Sequence, residues 1–430
     1  MEVRDPVYGR VHYDEAEQHV IDHAWVQRLR DIRQIGFSFL PFPGATHSRF
    51  AHSLGVMHLA GRAFDQAYKK WQFEDPSRRS QLRSLVRLAA LCHDIGHAPF
   101  SHCTEFSMPP LKDLQIPWYK HDVASRRASH EDYSIAILAN TSLAEVVGRH
   151  FPFTARHIAA LVSKEVTVED DLFLDGRFNH RALLSQIVSS ELDVDRLDYL
   201  VRDALHTGTA YGHVDVDWLI GNLSTHVVDD RVCLALEGRA VYAFDHFLLA
   251  RHHMFLQVYF HHKSVAYEEH LRRYAMDPHS GWSLSADLEV YFKTDDAALL
   301  QHLKEVPHPM AERVASRRPY VRVLERHGSE QESDVSVEAA HLADQGVDVL
   351  QATSTGRLSR YQGAHSSDEG DAHIYVLEGL DGHPVESVRT LNEASQVFAR
   401  YADARCIGRV YVDREDVARC RRMLGLPCAD

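Results

Sequence analysis

The run LVRLAALCHDIGHAPFSH at residues 85–102 constrains this chain most. Its first half, rich in Leu, Ala and Val, predicts a buried helix. Its second half carries His93, Asp94, His97 and His102, where Gly96 and Pro99 end the helical pattern. On a helix His93 and His97 share a face, with Asp94 beside them. Imidazole and carboxylate together can hold a divalent cation. Three other segments extend the set: Arg49-Phe-Ala-His52, His130-Glu131-Asp132 and Asp193-Val-Asp195-Arg196-Leu-Asp198-Tyr199. His52, His93, Asp94 and Asp195 are the candidate metal ligands. A mixed N/O set of this kind suits Fe, Mn, Zn, Co or Ni, and with weaker preference Mg. Four protein ligands leave room for water and a phosphate oxygen.

The last of those segments has its own pattern. Asp195, Asp198, Tyr199, Arg202 and Asp203 fall on one helical face, while Leu192, Leu197 and Leu200 mark the packed side. Among 430 residues, Lys+Arg 47 against Asp+Glu 61 gives a net charge of −14, which argues against general nucleic-acid binding. A few Arg and Lys focused in one pocket still suffice for a small anion. The six Cys form no CxxC pair, so a zinc ribbon or redox motif is not expected. MEVRDPVYGR has no basic stretch leading into an apolar core, and no apolar run reaches membrane-span length. The expected setting is the cytoplasm, with no membrane partner.

The expected fold class is mainly α, with a helical domain over 1–280 and a smaller α+β domain over 281–430 that carries polar loops. Helices are predicted over Ile21–Ile35 with Asp22 as N-cap, His52–Tyr68, Gln81–Asp94, Asp132–Ala139, Thr154–Ser163, Arg181–Thr207 and Val241–Tyr274. Residues 107–129, with Pro109, Pro110 and Pro117, read as a loop or insertion. Beyond residue 280 the runs at 288–292, 320–326, 347–352, 373–379 and 408–413 read as strands, and Asp296–Glu305 and Leu391–Tyr401 as helices. Polar stretches 327–346 and 353–372 read as loops.

Together, R49-F-A-H52-S-L-G-V, H93-D94-I-G-H97-A-P-F-S-H102, H130-E131 and D193-V-D195-R196-L-D198-Y199 resemble the HD-domain phosphohydrolases, within them the dNTP triphosphohydrolase branch. The resemblance runs to about residue 275 and includes D5-P6-V7-Y8-G9, Q27-R28-L29-R30 and F42-P43-G44-A45-T46-H47. It implies metal binding by His52, His93, Asp94 and Asp195, and cleavage of a dNTP to deoxynucleoside and triphosphate. His102 and His130 become the candidate proton donors, with Glu131 orienting or charging an imidazole and His97 at the same face. Arg49, Arg196, Arg251, Tyr199 and Tyr259 match phosphate-clamp positions, and Gln34 and Asp203 match contacts to the sugar 3′-hydroxyl. Asp22, Gln27 and Arg30 match a site for an activating guanine nucleotide (dGTP or GTP), and the branch forms homo-oligomers, dimers or tetramers. Arg4, Phe260 after Tyr259, Ala51 before His52 and a longer 102–130 segment depart from a mammalian member. Other readings are another nucleotide phosphohydrolase, a phosphodiesterase or a nuclease, and a nucleotide-sensing oligomer with little turnover.

Overall fold

The computed structural model describes residues 1–119, 126–356, 373–379, 385–397 and 405–427. An N-terminal hairpin, β1 (Glu2–Asp5) with β2 (Gly9–His12), leads into α1 (Glu15–Ile21) and the short α2 (Ala24–Gln27). The centre is a pair of long helices, α3 (Arg49–Ala67) and α4 (Pro76–Cys92), packed on each other. Asp75 caps α4 by accepting from Ser77 N–H, and Pro76 supplies the fixed φ of a first helical turn. Around this pair stand α5 (His130–Asn140), α6 (Leu143–His150), α7 (Ala155–Val162), α8 (Arg181–Val188) and α9 (Val194–Thr207). Leu59, Leu88, Leu91, Ile135, Ile158 and Leu200 are fully buried between them. The fold is helical, with a smaller sheet-bearing C-terminal region.

The stripe Ile21, Trp25, Leu29 and Ile32 is buried as its spacing predicts, yet the segment is not one helix. α1 stops at Ile21, and Asp22 is its C-cap rather than an N-cap; His23 caps α2, and a 3-10 turn follows over Arg28–Asp31. The predicted helix over 181–207 is likewise two helices. Asp193 breaks it by accepting from Arg196 N–H and Ser190 N–H. Past the two-residue strands β3 (Leu174–Asp175) and β4 (Phe178–Asn179) and the helix α10 (Val216–Gly221), the hairpin β5 (Leu223–Val228) and β6 (Arg231–Glu237) turns on Asp229 and Asp230, both at positive φ. The 241–274 stretch forms α11 (Val241–Met254) and α12 (His262–Met276), separated by a π turn over Phe255–Tyr259.

The run 288–292, expected as a strand, is the helix α13 (Leu288–Phe292). Asp287 accepts from Glu289 and Val290 N–H and so sets a helical start. α14 (Asp296–Glu305) and α15 (Pro309–Ala315) follow. A three-stranded antiparallel sheet then places β11 (Arg405–Val412) between β7 (Val321–Gly328) and β8 (Val349–Gly356). Within the polar 327–346 stretch lies α16 (Ser336–Asp344), and residues 353–356 extend β8; residues 357–372 and 398–401 of the other predicted elements lie outside those described. The chain also returns across residue 280. β9 (Tyr375–Glu378) pairs in parallel with β6, and β10 (Ser387–Thr390) flanks it. Tyr291 and Val376 are fully buried in the main helical core. A split at 280/281 therefore does not divide the packing.

Candidate metal centre

α3 supplies His52, the end of α4 supplies His93 and Asp94, and the first turn of α9 supplies Asp195. His52 Nε2 lies 3.0 Å from Asp195 Oδ1 and 3.5 Å from Asp94 Oδ2. His93 Nε2 lies 3.3 Å from Asp94 Oδ1 and 3.6 Å from Asp195 Oδ1. Both Nε2 atoms are buried without a hydrogen-bond partner. Their Nδ1 atoms face outward: His52 Nδ1 is 2.7 Å from Asp198 Oδ2, and His93 Nδ1 is 2.7 Å from Ala90 O. Such outer contacts fix the tautomer that leaves Nε2 as a donor atom. Two orphaned imidazole nitrogens facing two carboxylates fit a divalent cation.

Electrostatics agree. Burial works against a charged His52, but Asp195 and Asp198 lift it to about 10. Burial also opposes ionisation of Asp94; Arg49, His93 and His97 nevertheless hold its carboxyl well below the ordinary range. Positive charge is therefore favoured at this spot, which is what a cation supplies.

A second cluster sits alongside, formed by His97, His102, His130 and Glu105. Glu105 bonds both His130 Nδ1 and, at 3.0 Å, His102 Nδ1. The rings of His97 and His130 stack at 3.9 Å with an 11° tilt. Imidazole ligates through a lone pair in its ring plane, and two offset parallel planes cannot both contain one ion. The arrangement suits proton handling better than ion binding. Burial, Arg49 and His130 keep His97 neutral. Burial lowers His130 too, but the bond from Glu105 raises it above its ordinary value. The carboxylate that orients His130 is thus Glu105, which sequence reading missed; Glu131 acts on His130 through its charge. The signal was the three-residue spacing from His102.

Other candidates are distributed as follows. Arg49 spends three of its five N–H donors on protein groups: Asp94 at 2.5 Å, Ser101 Oγ at 2.8 Å and Gln34 O at 3.2 Å. It holds the Asp94 carboxylate in place. Arg196 is buried against Glu191 (3.0 Å) and Asp193 (3.5 Å). Tyr199 feels the charges of Arg251, Arg196 and Asp195, so all four share one neighbourhood. Both Asp203 oxygens are engaged, Oδ1 with His47 Nε2 at 2.7 Å and Oδ2 with Tyr259 Oη at 2.8 Å. His47 was missed; it stacks on His206, and its Nδ1 is buried without a partner, as is Gln34 Oε1. Arg30 Nε donates to Gln27 Oε1 (2.7 Å), and Gln18 donates to Asp22 (3.1 Å), near the chain's surface. Cys92 is fully buried, whereas Cys103 hydrogen-bonds Glu268 at 3.3 Å.

Residues 49–203 match the HD domain family, and residues 214–349 match the HD-associated region. The chain is an HD-domain protein. All four candidate ligands and the His97–Glu105–His130 cluster fall inside the HD domain. An uncharacterized protein of Methanocaldococcus jannaschii is 29% identical over 323 residues, 75% of this chain and 59% of that protein. The deoxynucleoside triphosphate triphosphohydrolase SAMHD1 of Homo sapiens is 32% identical over 219 residues, 48% of this chain and 33% of that enzyme. The chain thus spans less than two thirds of the length of these curated relatives. A hypothetical protein from Aquifex aeolicus has a crystal structure that superposes with a TM-score of 0.74 at 28% identity, covering 99% of both chains. A phosphohydrolase from Bacteroides thetaiotaomicron shares the fold, with a TM-score of 0.67 at 24% identity and coverage of 96% of this chain and 100% of that one. Among the described residues no helix is long and apolar enough to cross a membrane.

Proposed function

We propose that this chain is a metal-dependent phosphohydrolase that cleaves deoxynucleoside triphosphates to deoxynucleoside and triphosphate. The observation that carries the reading is the convergence of two bare imidazole Nε2 atoms and two carboxylates beside a stacked imidazole pair tied to Glu105. His52, His93, Asp94 and Asp195 would hold the cation. Bound there, a divalent ion would supply a water of lowered pKa and polarise the phosphoryl group. Arg49 keeps Asp94 ionised and aimed inward. His130, held protonated by Glu105, is suited to give its proton to a leaving oxygen, and His102 on the same carboxylate can restore it. Asp203, fixed by His47 and Tyr259, presents an acceptor for a sugar hydroxyl, and the unpaired Gln34 Oε1 presents another. The identity to SAMHD1 supports the dNTP assignment. Homo-oligomer formation, with a guanine nucleotide activating through Asp22, Gln27 and Arg30, belongs to the same proposal.

The test is product identification. Purified protein is incubated with each dNTP and Mn, Fe, Co, Ni, Zn or Mg, with and without dGTP or GTP. Deoxynucleoside with intact triphosphate is the expected outcome. Diphosphate or monophosphate would move the assignment to another phosphohydrolase class, and binding without products to a sensor. Asp195→Ala is expected to lose both metal content and turnover while keeping its melting temperature.

A further inference from the structure

The turn at residues 96–101 joins His93 and Asp94 to His102, and it is gripped at three points, two directly by the segment Tyr291–Asp296 of the HD-associated region and one through Arg28, which that segment holds. Tyr291 Oη donates to Gly96 O at 2.7 Å. Arg28 donates to His97 O at 2.8 Å, and its other N–H groups donate to Phe292 O (3.1 Å) and Thr294 O (2.6 Å). Asp296 Oδ1 accepts Phe100 N–H at 2.6 Å, while Oδ2 accepts Arg33 N–H at 3.1 Å. The Arg33 guanidinium lies 3.5 Å from the same carboxylate, which is itself buried.

The third grip falls on a strained joint. Phe100 and Ser101 sit at φ +55° and +58°, consecutive left-handed residues that are not glycine. A non-glycine residue in this region is strained and persists only where its surroundings over-determine it. Ser101 then divides the consequence. Its hydroxyl donates to Arg33 O at 2.6 Å and accepts from Arg49 Nε at 2.8 Å, and Arg49 holds Asp94. The next residue in the chain is His102, which shares Glu105 with His130.

We infer that Asp296 is a positioning residue. It touches no reacting group, but it fixes the joint that aligns the His102–Glu105–His130 group against the metal ligands. Tyr291–Asp296 is then the strut through which the HD-associated region controls turnover. The inference rests on the phosphohydrolase reading for its kinetic consequence and on hydrogen bonding alone for its structural one.

Asp296→Ala, Asp296→Asn and the control Asp295→Ala separate the cases, because the Asp295 side chain accepts from Ala298 N–H at the start of α14, whereas Asp296 accepts from Phe100 N–H. Asp296→Ala is expected to lower kcat by roughly 10²-fold, with KM and bound-metal stoichiometry near wild type. Amide hydrogen exchange should rise over residues 97–104 and not in α3. Asp296→Asn keeps one acceptor for Phe100 and should fall between; if the Ala variant does not fold, Asn carries the comparison. Equal kcat losses in Asp295→Ala, or loss of metal in step with activity, would reduce Asp296 to general stability and overturn the inference. If wild type turns over no dNTP, the functional reading has failed by itself. The exchange comparison then decides the strut, and unchanged exchange over 97–104 overturns it.

Discussion

Asp198 accepts from His52 on one oxygen and from Arg202 at 2.8 Å and 2.9 Å across both, and Arg202 reaches Asp5 at 2.8 Å. The His52 imidazole in α3 is thus aimed by a chain of charges that ends in the N-terminal hairpin. Glu105 has the matching role in the second cluster. Glu105→Gln should therefore cut kcat by about 10²–10⁴-fold while bound-metal content stays unchanged, as measured by turnover and elemental analysis of the same preparation. The grouping of His52, His93, Asp94 and Asp195 was legible because imidazole and carboxylate stand where helical patterns end or restart. Glu105 and His47 were not. A carboxylate three residues from a histidine is common on any surface, and only tertiary packing brings His130 or Asp203 to it. The Arg49–Asp94 pair was not legible, since a sequence shows a guanidinium but not the carboxylate it holds.

At the scale of elements, helix-to-turn joints decide the geometry. Gly96 N–H donates to Ser134 Oγ at 2.9 Å, and that hydroxyl donates to His93 O at 2.7 Å, so the turn lies flat against α5. A Cβ at position 96 would stand 2.2 Å from His130 O and 2.3 Å from Ser134 N, both backbone atoms that cannot swing away. Gly96→Ala should destabilise the protein by about 1–3 kcal/mol in urea unfolding, and also reduce turnover, because the displaced helix carries His130. Periodicity found most helices and placed the buried stripe from Ile21 to Ile32. It could not find the breaks, because these come from side-chain caps such as Asp193 and His23 that compete locally with helix continuation. Leu288–Phe292 reads as a strand by composition, and Asp287 converts it to a helix by capping two amides. The β5–β6 hairpin did carry a signal, Asp229-Asp230 between two apolar runs.

Across the whole molecule, the C-terminal region is bound to the helical body through buried polar contacts as well as apolar ones. His270 on α12 is fully buried, and its Nε2 accepts Tyr320 N–H at 2.8 Å. Burial, with Arg313 and Arg273 nearby, pushes this imidazole down to about 3. The unfolded chain takes up a proton near pH 6.5, but the folded one does not until far lower pH. The stabilising contribution is therefore complete above about pH 6.5 and is lost as pH falls towards 3, at about 1.4 kcal/mol per pH unit. His270→Gln should flatten the acid side of a stability profile recorded from about pH 7 down to about pH 4.5, leaving the share of His180, which burial lowers to about 4. The division of the chain near residue 280 was read from composition, which does shift there. Strand pairing between β6 and β9 joins segments some 140 residues apart (235 with 375), and no local pattern reports that.

The wide sequence separation of the ligands has a consequence for biosynthesis. His52 and His93 leave the ribosome well before Asp195. At about 5–20 residues per second the 102 residues from 93 to 195 take roughly 5–20 s to make. During that interval a nascent chain displays two histidines and one aspartate with no closing partner. The four-residue group is therefore complete only in chains whose ninth helix has already emerged and docked.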